Sequence, residues 1–329
     1  MRKDPIILGI DSSCDDTGIG IVQNNQVLAN IVSSQDAIHA EWGGVVPEKA
    51  SREHLKVIDV VLEHALREAK LELFQIDAIA ATYGPGLIGT LLVGLSYGKA
   101  LAWASDKPFI PVHHLEGHIA SVLADSEIEP PFLCLIASGG HTSLFDVQAW
   151  GKYIELGRTR DDAAGEAFDK VARLLGLGFP GGAALSKLAE SGDDMAFKFT
   201  LPMQRQEGFD FSFSGLKTAV STLVKNQANA NKADVAASFE RIVVKSLVTV
   251  SAKAAKKTAH KTIVVAGGVA ANKRLRREFA QIGLEMKFPP FALATDNGAM
   301  IALAAQKRFV VGAWDIDAKP YLPLSSTIA

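Results

Sequence analysis

The stretch IILGIDSSCDDTGIGIV, residues 6–22, runs from an apolar segment through a polar turn into a second apolar segment. Ile6–Asp11 reads as a buried strand, Ser12–Asp16 as its turn and Gly18–Val22 as the returning strand, with Gln26–Val32 completing a three-strand meander. The same order begins again at FLCLIASGGHTSLFDV, residues 132–147. There Phe132–Ala137, the turn Ser138-Gly139-Gly140, His141–Val147 and Tyr153–Leu156 form a second meander. Small polar turns at equivalent points of two meanders point to an internal duplication.

Between and after the meanders lie helical patterns. Pro47 opens one whose apolar positions Leu55, Ile58, Val61, Leu62, Ala65 and Leu66 follow helical spacing. Others are expected over Leu87–Ala104, Ala164–Leu175, Leu216–Lys225, Asp234–Ala259, Ala270–Ala280 and Gly298–Phe309, with strands at Ile76–Ala81, Phe109–Val112 and Thr262–Ala266. Strands alternating with helices define an α/β class. At roughly 150 residues per domain, a chain of 329 residues divides in two, and Pro130-Pro131 marks the clearest boundary. The expected lobes are residues 1–129 plus 297–329, and residues 130–296.

Composition removes several classes. Lys plus Arg minus Asp plus Glu gives 34 − 36 = −2, with 48% hydrophobic and 21% charged residues, so a disordered chain and a uniformly basic nucleic-acid binder are excluded. Cys14 and Cys134 sit in apolar runs, which speaks for reduced thiols and against a disulfide framework. The N-terminal apolar run is cut at Asp11, short of a secretion signal, and no run reaches membrane-spanning length; a cytoplasmic location is expected.

Three glycine-bearing turns follow strands, at Asp11–Gly18, Ser138–His141 and Gly267–Asn272. Such turns let backbone N–H groups approach a phosphate, which makes Asp11, Ser12, Ser13, Gly267 and Gly268 candidates for a nucleotide loop. None matches the GxGxxG or GxxxxGK[ST] patterns. A bland tight turn explains each one alone; the three together favour a nucleotide in a cleft between two related halves.

His114-Leu-Glu-Gly-His118 places two imidazoles four residues apart, on one face if the segment is helical, where both can reach one metal ion. Solvated or hydrogen-bonded histidines are the plain alternative. Glu116 lies two residues after His114, about 200° around the helix and away from the histidine face, so the HExxH protease arrangement does not fit. Asp296 is the leading third ligand, and it also reads as the N-cap of the last helix. A His, His, Asp set with open positions suits Zn2+ or Fe2+. Asp161 and Asp162 read by default as helix caps, with ribose hydroxyls the alternative, whereas Asp169 lies deeper in the helix and is harder to explain as a cap. Lys253, Lys256, Lys257 and Lys261, with Lys273, Arg274, Arg276 and Arg277, are candidate nucleic-acid contacts or a solvated helix face.

Taken together, GIDSSCDDTG (9–18), GGVVPEKASREH (43–54), YGPGLIGTLLVG (83–94), HHLEGH (113–118), SGGHT (138–142), DDAAGEAFDKVARLLGL (161–177), FSFSGLKTA (211–219), AGGVAANKRLR (266–276) and TDNGAMIA (295–302) resemble the TsaD family. These are tRNA N6-adenosine threonylcarbamoyltransferases, formerly called Gcp or YgjD. The resemblance implies the actin, Hsp70 and sugar-kinase fold, with a nucleotide in the cleft between two duplicated lobes. It implies His114, His118 and Asp296 as ligands of one divalent metal, Fe2+ ahead of Zn2+. It implies Ala137, Ser138, Gly139, Gly140, His141, Asp169, Gly182 and Asn272 as the lining of the substrate site. Ser186 departs from the pattern, standing where many members carry an aspartate, and puts one ribose contact in doubt.

The implied reaction moves the threonylcarbamoyl group from threonylcarbamoyl-AMP to N6 of adenosine 37 in tRNAs reading codons that begin with A; ATP or ADP could occupy the same nucleotide site. The implied partners are tRNA, TsaB-like and TsaE-like proteins and the synthase that supplies the adenylate, with self-association when the partner is absent. No residue stands out as a general base. The rival readings are a small-molecule kinase or ATPase of the same fold, a metalloprotease, and a silent scaffold subunit.

Overall fold

The computed structural model describes residues 4–203, 207–227 and 229–324. In chain order the elements are β1 (Ile7–Asp11), β2 (Asp16–Gln23), β3 (Gln26–Ser34), α1 (Asp36–Ala40), α2 (Pro47–Ala69), β4 (Ala78–Gly84), α3 (Ile88–Ala104), β5 (Phe109–His113) and α4 (His114–Ala120). They continue with β6 (Phe132–Ala137), β7 (Thr142–Ala149), β8 (Lys152–Arg158), α5 (Ala164–Leu174), α6 (Gly182–Ala189), α7 (Ser214–Asn226) and α8 (Lys232–Thr258). The last are β9 (Thr262–Ala266), α9 (Lys273–Phe279), β10 (Glu285–Lys287) and α10 (Gly298–Lys307).

The chain forms two compact units: residues 1–129, 149–153 and 289–329, and residues 130–148 with 154–288. Compared with the division expected from the sequence, the turn 149–153 and the segment 289–296 lie in the first unit. The reason for the second difference is local: Leu293 is buried there and its carbonyl accepts from the Asn297 side chain, so the approach to α10 travels with α10.

The first unit holds a five-stranded sheet in the order β3-β2-β1-β4-β5. β1 pairs antiparallel with β2 and parallel with β4, which pairs parallel with β5. Side chains alternate across a strand, so neighbouring residues of β1 serve opposite faces. Ile10 lies against Gly94 and Gly98 of α3, while Gly9 lies against α10. A Cβ on Gly9 would come 2.3 Å from the Gly298 carbonyl oxygen, and one on Gly20 would come 2.2 Å from the Ala299 nitrogen. The missing side chains thus allow α10 to rest directly on the sheet backbone. Helix α2 covers β2 and β3; Ile58, Val61, Leu62 and Ala65 of the expected spacing are buried, whereas Leu55 faces outward.

The second unit holds a sheet in the order β10-β9-β6-β7-β8. Its first strand, β6, pairs antiparallel with the second and parallel with the fourth, as β1 does in the first sheet. The two sheets therefore repeat one permutation of strands, the duplication that the meanders announce. Its core gathers Phe168 and Phe239, edge to face at 5.4 Å, with Phe211, Phe213, Val243 and Leu247. Elements that go beyond the sequence reading are α1 in the first unit and, in the second, α6 and the three-residue β10 that completes the sheet.

Candidate functional site

His113 ends β5 and turns the chain into α4. Its Nδ1 accepts from the Leu115 backbone N–H at 3.1 Å, capping the helix, so Nε2 carries the proton and donates to the Leu322 carbonyl at 3.0 Å. The helix then carries His114 and His118 on one face, their rings edge to face with centroids 4.7 Å apart. Asp296 Oδ1 lies 3.6 Å from His114 Nε2 and 3.2 Å from His118 Nε2. The ligand atoms of these three residues all fall within 4.8 Å of one another.

His118 is fully buried, and neither of its ring nitrogens has a hydrogen-bond partner. A buried polar group without a partner is costly, on the order of 1–3 kcal/mol. A cation between the three side chains would remove that cost, and two imidazole nitrogens with one carboxylate oxygen suit Zn2+ or Fe2+. The residues present fit a metal. Burial pulls the His114 imidazolium down, but the charges of Asp296 and Asp11 more than offset it and hold the ring up at about 9. Burial and the charge of Asp296 likewise push Asp16 up to about 7.

Glu116, between the two histidines, points elsewhere. Both its oxygens accept from Arg308 Nη1 at 3.0 Å, and Oε1 accepts from the Tyr153 hydroxyl at 2.6 Å. Held in this way it is not placed to act as a protease base. Asp296 is not the cap of α10: Asn297 is, its Oδ1 accepting from the Met300 N–H at 2.9 Å. That leaves the Asp296 carboxylate to face the histidines. Gly18 makes room for this arrangement, since a Cβ there would come 2.9 Å from the Asn297 Cα.

The first glycine turn does not form an open phosphate loop. Asp11, Ser12 and Ser13 are all buried. Ser12 Oγ donates to the Thr90 carbonyl and accepts from the Gly94 N–H, tying the turn to α3. Asp11 Oδ1 accepts from Thr82 Oγ1 at 2.6 Å and from His114 Nδ1 at 3.3 Å, and Oδ2 accepts from Ser13 Oγ at 3.1 Å.

The second turn is open. A Cβ on Gly139 or Gly140 would meet nothing within 4 Å, and both residues are exposed. Ser138 closes the turn through its N–H to the His141 carbonyl, and its Oγ accepts from the His141 N–H. The start of α5 joins it, with the Ala164 N–H donating to Thr142 Oγ1 and the Gly165 N–H to the Ser138 carbonyl. Gly267, at φ +87°, abuts Ala137, whose carbonyl oxygen lies 2.5 Å from the position of a Cβ. Ala137 to His141 and Gly267 with Gly268 thus share one end of the second sheet.

Asp169 is a cap after all, of α6: its Oδ1 accepts from the Gly181 and Gly182 N–H groups at 2.9 and 3.0 Å. Asn272 donates to Ser186 Oγ at 2.9 Å and to Glu240 Oε1 at 2.6 Å, while its Oδ1 caps α9 through the Leu275 N–H. Burial pushes the Glu240 carboxyl up, against the hydrogen bonds of Asn272 and Ser186. Glu240 is the residue that sequence reasoning passed over; its signal is a charge inside the apolar run AASFERIVV. Thr82 carried no signal of its own. Asp161 caps a remote helix, accepting from the Phe213 and Ser214 N–H groups of α7, and Asp162 pairs with Lys170 and Lys217.

The basic residues divide. Lys253 and Lys257 stand over the Phe209 ring at 5.7 and 5.6 Å, and Lys256 and Lys261 are exposed. On α9, Lys273 pairs with Glu190, Arg274 with Asp194 and Glu278, and Arg276 donates to the Ala270 carbonyl while stacking on Phe288; Arg277 is exposed. Among the described residues, no helix is long and apolar enough to cross a membrane.

A family model described as "TsaD: tRNA N6-adenosine threonylcarbamoyltransferase" matches residues 26–303. A protein named tRNA N6-adenosine threonylcarbamoyltransferase from Thermus thermophilus is 53% identical over 322 residues, covering 97% of this chain and 98% of its own. A protein of the same name from Microcystis aeruginosa is 51% identical over 98% of both chains. Among solved structures, full-length HypF in its phosphate- and nucleotide-bound form superposes with a TM-score of 0.62 at 16% identity, over 94% of this chain and 47% of HypF. Component A of the Acidaminococcus fermentans (R)-2-hydroxyglutaryl-CoA dehydratase gives 0.56 at 16% identity, over 92% of this chain and 98% of that one. At that identity the two structures speak for the fold alone, and they agree on the duplicated α/β architecture.

Proposed function

This chain belongs to the tRNA N6-adenosine threonylcarbamoyltransferase family, and from that premise we propose which of its residues serve the transfer. The enzyme places a threonylcarbamoyl group on N6 of adenosine 37 in tRNAs reading codons that begin with A. The donor is threonylcarbamoyl-AMP. The N6 lone pair attacks the carbamoyl carbonyl and forms the N–C bond; the bond from that carbon to the phosphate oxygen breaks, AMP leaves with the electron pair, and N6 gives up a proton. Acyl transfer of this kind depends on holding carbonyl, leaving group and amine in line.

His114, His118 and Asp296 hold one divalent cation, Fe2+ ahead of Zn2+. When bound, such a cation supplies charge that grips substrate oxygens and polarises a carbonyl. The observation that supports this most is the His118 ring, fully buried with both nitrogens unpartnered and Nε2 turned to Asp296.

The open turn Ala137–His141, with Gly267 and Gly268, offers backbone N–H groups to the adenylate phosphate. Asp169 and Asn272 shape the nucleoside wall through what they hold: Asp169 fixes Gly181 and Gly182, and Asn272 fixes Ser186 and Glu240. Many members carry an aspartate at the position of Ser186. Here Glu240 lies beside that hydroxyl, and we assign the ribose-facing acceptor to it.

The exposed lysines of α8 are assigned to tRNA. The outward face of α2 and α3, with Leu55, Ile88, Leu92 and Trp103 exposed, is assigned to a TsaB-like partner; a TsaE-like protein and the adenylate synthase complete the cytoplasmic system. Reconstitution tests the whole reading: unmodified tRNA, synthase, ATP, threonine, bicarbonate and both partners, with the nucleoside read by mass spectrometry. Wild type forms the modified nucleoside; none formed overturns the assignment. Equal product from the His114→Ala, His118→Ala double variant overturns the metal role alone.

A further inference from the structure

Asp11 and His114 come from different strand ends, the last residue of β1 and the residue after β5, and meet in the interior of the first unit. A carboxylate can only accept, so the 3.3 Å contact from His114 Nδ1 to Asp11 Oδ1 puts the ring proton on Nδ1. When the ring gives up its other proton, as it must to take a cation, the lone pair is then on Nε2, the nitrogen that faces Asp296. Asp11 is itself fixed from two sides, by Thr82 Oγ1 on the same oxygen and Ser13 Oγ on the other. His118 has no counterpart, since its Nδ1 has no partner.

We propose that Asp11 is a positioning residue of the metal centre: it selects the tautomer and fixes the ring plane of His114, so that this histidine arrives preset for a cation while His118 completes the site. The proposal rests on the metal reading of His114, His118 and Asp296. It gives the buried acid of the first turn a purpose other than phosphate binding, for which a carboxylate is ill suited. Carboxylates behind metal-bound histidines raise affinity by about 10- to 100-fold.

Affinity for Co2+ alone, measured on the full-length protein by ligand-field absorbance, provides the test. Wild type binds one equivalent, and Asp11→Asn, which keeps the shape and removes the charge, weakens binding by about 10-fold or more. In a His114→Ala background the same substitution causes no further loss, because its effect passes through that ring. Binding by Asp11→Asn within twofold of wild type, or a loss of equal factor in both backgrounds, overturns the proposal. Should Asp11→Asn not fold, Thr82→Val removes the hydroxyl that fixes the carboxylate; an unchanged Co2+ affinity in that variant overturns the proposal equally. Absence of stoichiometric Co2+ binding by wild type would instead fail the metal reading itself.

Discussion

Asp296 Oδ1 stands 3.2 Å from His118 Nε2, and the two belong to segments 178 residues apart that the fold of one unit brings together. A divalent cation that binds only the folded chain must then stabilise it by mass action. Thermal unfolding of chelator-treated protein should shift upward with added Zn2+ or Co2+, about 2.7 kcal/mol at a hundredfold excess over Kd. Replacing His118 by alanine should abolish the shift, whatever the cavity it leaves costs the metal-free protein.

The same site should compete with protons. In the metal-free protein His114 is held up at about 9 by Asp296 and Asp11 against the effect of burial, so at neutral pH a cation displaces one proton. Affinity should rise about tenfold per pH unit from 7 towards 9 and then level off. The linkage to folding has the opposite sense. A histidine raised above its ordinary 6.5 stabilises the metal-free fold fully below that pH, and the contribution is lost as pH rises through about 9. Calorimetric titrations in buffers of different ionisation enthalpy would count the proton.

Glu116 of α4 and Arg308 form a buried ion pair, with Arg308 donating to both carboxylate oxygens. Arg308→Met should cost about 3–5 kcal/mol in chemical denaturation, because it leaves a buried carboxylate unpaired. Glu116→Gln combined with Arg308→Met should recover much of that loss.

Gly20 packs against α10 with no room for a methyl, its Cβ position lying 2.2 Å from the Ala299 nitrogen. Gly20→Ala should destabilise by about 1–3 kcal/mol or more through overpacking. Gly18→Ala should also weaken cation binding, because the clash falls on the Gly298 nitrogen and on Asn297, beside Asp296. Denaturant midpoints and Co2+ titrations of the two variants separate the effects.

Lys253, Lys256 and Lys257 carry the tRNA assignment, since Lys273 and Arg274 on α9 are already paired with carboxylates. Charge reversal of the three α8 lysines should weaken tRNA binding and flatten its salt dependence, whereas Lys273→Glu should do so far less. Equal effects at both clusters would move the interface to α9.

The histidine pair was legible in the sequence because its spacing needs only one helix. Asp296 was half legible: Asp and Asn both favour an N-cap, and only the structure shows that Asn297 takes the capping bond and releases its neighbour. Asp161 misled for a related reason, as it caps a helix fifty residues on that no local window contains. Likewise Glu190 and Asp194, which pair with Lys273 and Arg274, lie far away in the chain. The meanders were readable from apolar alternation, while α6, short and preceded by Pro180-Gly181, and the three residues of β10 offered too few periods to be seen.

The shared strand permutation makes the turns after β1 and β6 equivalents of one another. In the first unit that turn is sealed, its acid committed to a histidine; in the second it is open, bare of side chains at Gly139 and Gly140. On the assignments proposed above, the two equivalent turns take different trades, ion keeping in the first and ligand reception in the second. Lesions in the two copies should therefore sort into separate phenotypes, one rescued by excess metal and the other by excess donor.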